Sequence, residues 1–211
     1  MTDRLPHTLR SDALDNRERI LDSARTLFAA EGMNVPMREI ARRAGVGPAT
    51  LYRRFPTKQA LVSEAFAEQL RACHTIVEEG LADPDPWRGF CRVIERTCEL
   101  YAHDRGFTEA LMSAFPDAMD FAAGRAHTLS AVAELARRAK EAGRLRPDFV
   151  LEDLILMVLA HRGIHTASAA ARVAASRRFA ALAIQAFRVS EEHAPLPPAA
   201  RLAFAVPRWT A

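Results

Sequence analysis

Hydrophobic positions recur at helical spacing along nearly the whole of this 211-residue chain. In NRERILDSARTLFAAEG, Ile20, Ala24, Leu27 and Phe28 share a face and Gly32 follows, which predicts a helix over 16–31 capped by Asp15 with Glu18. MREIARRA, entered through Val35 and Pro36, predicts a short second helix with Met37, Ile40, Ala41 and Ala44 inside and Gly45 at its end. Pro48 to Phe55 predicts a third. There Leu51 and Phe55 lie four apart on the apolar side, leaving Ala49, Thr50, Tyr52, Arg53 and Arg54 on the remaining arc.

Further on, TKQALVSEAFAEQLRACHTIVEE reads as one long helix, with Leu61, Ala65, Phe66, Gln69, Leu70 and Cys73 in a stripe. The DPDP at 83–86 breaks the pattern. WRGFCRVIERTCELYAH then sets Phe90, Ile94, Thr97, Cys98 and Tyr101 on one face. Helices are expected over about 108–116 and 119–142, and GRLRPD at 143–148 is the next turn. Of the last two helices, DLILMVLA is apolar almost all round. ASRRFAALAIQAFRV pairs Phe179, Leu182 and Phe187 with Ala180, Ala183 and Ala186, small residues that allow close helix approach. Residues 191–211, with four of the twelve prolines, are expected to form a loosely held tail in which Phe204 and Trp209 can pack locally.

The whole pattern is all-α. A helix, a short glycine-containing turn and a second short helix with basic outer positions make a helix-turn-helix, whose second member enters the DNA major groove. Charge supports this: residues 1–62 carry eleven Lys/Arg against seven Asp/Glu, and from Arg38 to Lys58 the count is six against one. No stretch longer than nine residues lacks an Asp, Glu, Lys or Arg, far short of the ~20 apolar residues of a membrane span, and the first residues form no signal peptide. A cytoplasmic protein without membrane contact is expected. Cys73, Cys91 and Cys98 lack CxxC spacing and suit free thiols in a reducing compartment.

The run G32-x7-IARRAGV-x3-TLYRRFPTKQAL resembles the N-terminal signature of the TetR family of bacterial transcriptional regulators, over roughly residues 14–62. Ile40, Ala41, Ala44, Gly45, Val46, Thr50, Leu51, Tyr52, Phe55, Lys58 and Leu61 stand where the family pattern wants them, while Val35 and Gly47 replace the usual Ser or Thr caps. The resemblance implies a three-helix DNA-binding domain over 14–62, joined by a long helix to a larger effector-binding and dimerisation domain over 63–190. It implies that Pro48, Ala49 and Arg53 meet base edges and that Thr50, Tyr52, Arg54 and Lys58 hold phosphates, with Met37, Arg38 and Gly47 completing the contact set. It further implies an effector cavity in the middle helices, with Phe90, Ile94, Thr97, Tyr101, Met112, Phe115, Met119, His127 and His161 as candidate lining. The last two helices of each subunit would build a four-helix dimer interface through Leu154, Met157, Val158, Phe179, Ala183, Ala186 and Phe187.

His161 and His165 in HRGIH could place two ligands on one helical face, but Arg162 stands where a metalloprotease HExxH motif has its glutamate. Ser130, Cys98 and His127 sit in no nucleophile motif such as GxSxG. No metal, cofactor or catalytic activity is expected. The expected function is a repressor that binds a palindromic double-stranded operator as a homodimer and is released by a small effector. Two other readings fit parts of the pattern: a helical architectural or recruiting DNA-binding protein without a small ligand, and a small helical enzyme.

Overall fold

The computed structural model describes residues 5–103, 107, 119–191 and 194–199, with the side chains of 5–14 and 119–125 left aside. The expected helix over 108–116, and with it Met112 and Phe115, lies outside the described residues, as do the side chain of Met119 and the residues Phe204 and Trp209. All named elements among the described residues are helices: α1 (Leu5–Glu31), α2 (Met37–Ala44), α3 (Pro48–Arg54), α4 (Lys58–Ala65), α5 (Ala67–Leu81), α6 (Pro86–His103), α7 (Met119–Glu141), α8 (Leu151–His161) and α9 (Ala169–Phe187). None is long and apolar enough to cross a membrane. The chain divides into two compact units, Met1–Glu68 with Gly106–Ala118, and Gln69–Arg105 with Met119–Ala211.

In the first unit α1 carries Ile20, Leu21, Ala24, Leu27 and Phe28 into a core shared with Ile40, Ala41, Leu51, Phe55, Leu61 and Phe66. The helix runs past Asp15, so the cap expected there is an interior position. One further expectation is corrected. The long helix from Thr57 is interrupted at Phe66, whose backbone (φ −115, ψ 14) leaves the helix. The Phe66 ring is wholly buried between Phe28 and Phe107, at 6.1 and 6.0 Å between ring centroids. Arg25 Nε donates to the Ala65 carbonyl at 2.7 Å, beside the break.

In the second unit α6 packs against α9 and α7. Its start approaches α5 closely: a Cβ built on Gly89 would stand 2.2 Å from the Gly80 carbonyl oxygen, so neither crossing position has room for a side chain. The buried Asp83 holds the turn between them. Its carboxylate accepts from Arg88 Nε at 3.0 Å, Arg88 Nη2 at 2.6 Å and the Asp85 N–H at 2.9 Å, which keeps the acid below its ordinary pKa. Phe90, Phe149 and Phe187 meet edge to face at 5.1–6.4 Å and close one end of the unit. Beside them Arg146 N–H donates to Phe187 O at 2.9 Å, and its guanidinium binds Asp148 as well as the carbonyls of Ala186 and Ala194. Asp148 Oδ2 also accepts from the Leu196 N–H at 2.9 Å. The tail is therefore held at 194–196, where the sequence led us to expect a loose segment.

Candidate functional site

The geometry of the helix-turn-helix starts at a turn. Gly45 ends α2 in the left-handed region (φ +66), its own N–H reaching back to Arg42 O and the Val46 N–H to Ala41 O. This pairing satisfies carbonyls left open at the helix end and needs a residue without the Cβ penalty at Gly45. Gly47 then caps α3 without a side-chain bond, and Pro48 occupies the first helical turn. Pro36, rather than Val35, is the cap of α2. Thr57 caps α4, its hydroxyl accepting from the Ala60 N–H at 3.1 Å.

Because Leu51 and Phe55 are drawn into the core, the opposite face of α3 is forced outward. Arg38, Gly47, Pro48, Ala49, Tyr52, Arg53 and Arg54 are exposed, and Thr50 and Lys58 are half-buried. Tyr52 leaves 49% of its surface to solvent, far more than a core tyrosine. Lys58 opens α4 with its ammonium 6.0 Å from the Phe28 ring centroid, and partial burial lowers its pKa. Met37 is a correction to the contact set. It is only 7% exposed, packed with Ile40 and Ala41 on the inner face of α2 where it cannot reach a base. Two exposed arginines absent from that set, Arg42 and Arg43, add to the basic surface of α2. Arg42 is already paired with Glu39 at 2.9 Å, so Arg43 is the stronger addition; the charge count from Arg38 to Lys58 was the signal for it.

The expected effector residues fall into three groups. Phe90 belongs to the aromatic cluster with Phe149 and Phe187, and Ile94 is wholly buried on the same helix. Tyr101 and His161 meet at 6.2 Å, with Phe179 5.8 Å from His161, and Thr97 is half-buried on the turn before Tyr101. His127 instead is exposed and stacks on His74 at 5.7 Å. The middle group is a polar knot inside the unit: His161 Nε2 lies 2.6 Å from Ser176 Oγ, and the Tyr101 hydroxyl pairs with the Cys73 thiol. Burial lowers the pKa of His161, pushes the thiols of Cys73 and Cys98 up to about 12 and holds the phenol of Tyr101 well above its ordinary range. Every member is thus neutral near pH 7. His165 points away from this knot to Gly163 O at 2.8 Å, and no group of three or more metal-binding side chains occurs among the described residues.

The expected dimer residues divide in two. Leu154, Met157, Val158 and Phe187 are already buried within their own subunit, which leaves a partner little apolar surface to cover there. Phe179 and Ala183 are half-buried and Ala186 is exposed. Within α8 and α9 the large apolar side chains that face solvent are Leu156, 57% exposed, and Leu182, 54% exposed.

Two family models match the chain: one for bacterial regulatory proteins of the tetR family over residues 20–65, and one for an SbtR-like transcriptional regulator C-terminal domain over 85–189. An HTH-type transcriptional regulator of Staphylococcus aureus is 46% identical over 54 residues, 25% of this chain and 29% of that protein, so the chain spans under a third of that relative's length. Among solved structures, a TetR family regulator from Thermus thermophilus superposes with a TM-score of 0.63 at 20% identity, over 79% of this chain and 97% of that one. A ketosteroid transcriptional regulator of Mycobacterium tuberculosis gives 0.66 at 16% identity, over 82% and 95%. At these identities the two structures share the fold.

Proposed function

Because the chain belongs to the TetR family of bacterial regulatory proteins, and is accordingly a DNA-binding transcriptional regulator and not an enzyme, we propose that it acts in the cytoplasm as a dimeric repressor. It binds a palindromic operator and leaves it when a small effector binds the second unit. The observation that carries this reading is the exposed face of α3, with Tyr52 and Arg53 turned outward over the buried Leu51 and Lys58 beside it at the start of α4. Arg53 reads a base; Tyr52, Thr50, Arg54 and Lys58 hold phosphates, which fix register without carrying sequence. Leu156 and Leu182, with Ala183 and Ala186, form the surface that meets a second subunit, and twofold pairing sets two copies of α3 on two half-sites.

The neutral knot of Tyr101, His161, Ser176 and Cys73 supports an effector site in the second unit, since buried polar groups can exchange partners with a ligand. An effector releases DNA only through a difference in affinity between the two arrangements of the dimer. The test is a gel-shift titration on a selected palindrome and on one isolated half-site, repeated with compounds that raise the melting temperature. Equal affinity for palindrome and half-site would refute the dimeric reading. A stabilising compound that leaves DNA binding unchanged would refute release.

A further inference from the structure

Of the residues of α3, Leu51 alone is wholly buried, and it fixes how the helix is turned. At about 100° per residue, Ala49 lies about 160° and Arg53 about 200° round the helix from Leu51. These two exposed residues, four apart, form the ridge aimed straight away from the core, with Tyr52 on one flank and Thr50 on the other. Their chemistries differ sharply. Ala49 offers one methyl group and nothing that can donate or accept; Arg53 offers a planar fork of donors.

In the major groove thymine presents a methyl group, while guanine presents the N7 and O6 acceptors that match a guanidinium. A polar base edge opposite Ala49 would lose its water and gain no partner. We infer that each operator half-site carries a thymine whose C5 methyl packs on Ala49 and a guanine read by Arg53, about one to two base-pair steps apart. The spacing follows from the rise of ~6 Å over four helical residues against about 3.4 Å per base pair. The inference rests on the proposed reading of α3 as the helix that enters the groove. It makes Ala49 a residue that determines specificity, although it has no hydrogen-bonding side chain.

The experiment selects binding duplexes from a random pool with the full chain, then rebuilds the selected site with single-atom or single-group deletions. Deoxyuridine in place of the thymine removes only the methyl, and should weaken binding about fourfold per half-site and about fifteenfold in both. Ala49→Gly should bind the thymine and deoxyuridine sites alike, matching the wild type on deoxyuridine. Replacing the guanine by 7-deazaguanine should weaken the wild type at least about fivefold and leave Arg53→Ala unchanged. Both variants alter exposed positions, so folding is retained. Selection that yields no common sequence overturns α3 as the reader. A common sequence whose thymines all tolerate deoxyuridine, or a penalty that persists in Ala49→Gly, overturns the inference and leaves the reader standing.

Discussion

Replacing Leu156 and Leu182 together by Glu tests the subunit surface. Fully burying a leucine is worth about 1.5–3 kcal/mol. With 57% and 54% of these side chains still open to solvent, covering both contributes about 1.7–3.3 kcal/mol per subunit. A twofold interface counts each residue twice, giving about 3–7 kcal/mol for the dimer. At 1.4 kcal/mol per factor of ten, losing this raises the dissociation constant by roughly two to five orders of magnitude, before any desolvation of the new carboxylates. The subunit itself should fold as before, because neither leucine belongs to its core, and circular dichroism would confirm that. Sedimentation at micromolar concentration should show a wild-type dimer and a variant monomer, with Leu156→Ala and Leu182→Ala between them. A double variant that still sediments as a dimer places the interface elsewhere.

Lys58→Ala should weaken binding to every DNA sequence alike and lower the salt slope by about 1, whereas Tyr52→Phe should weaken it with less change in slope; an unaltered slope in Lys58→Ala removes it from the phosphate contacts. Gly89→Ala forces a methyl against the Gly80 carbonyl at 2.2 Å and should cost about 1–3 kcal/mol of stability, read as a lower urea midpoint; an unchanged midpoint would contradict that crossing. His161 predicts a pH dependence. Burial lowers its folded pKa below 6.5, so as pH drops through 6.5 the unfolded chain takes a proton that the folded chain refuses. Stability is full above 6.5 and falls below it until the folded pKa is reached. Urea titrations at pH 7.5 and 5.5 should show this loss in the wild type and a smaller one in His161→Phe; equal losses would count against it.

Helices α2 to α4 were legible because their limits are set by local chemistry: a left-handed Gly45, a Pro48 at the first turn, a capping Thr57. The break at Phe66 was not. The stretch from Thr57 to Glu79 keeps helical periodicity, and the break coincides with a tertiary feature, the packing of the Phe66 ring against Phe28 and Phe107. Periodicity failed differently in α8. When nearly every position is apolar, sequence cannot say which face turns inward, and the fold chose Leu154, Ile155, Met157 and Val158, leaving Leu156 out. For Met37 periodicity pointed to the inner face of α2 and the family resemblance to the DNA contacts, and burial favours the first. Nor could sequence spacing pair His161 with Ser176 on another helix, since that bond depends on how α8 and α9 pack.

Phe107 belongs to the unit that holds the helix-turn-helix, yet it is synthesised about 40 residues after the rest of that unit, on the far side of α6. Until it emerges from the ribosome, Phe66 lacks one of the two rings that bury it and the end of α4 is incompletely covered. At ~5–20 residues per second the nascent unit waits roughly 2–8 s in that state, a window in which exposed apolar surface invites chaperones. Expression of a fragment ending at residue 68 would make that interval permanent, so the shortest stretch that carries the family signature is a poor choice for isolating the first unit.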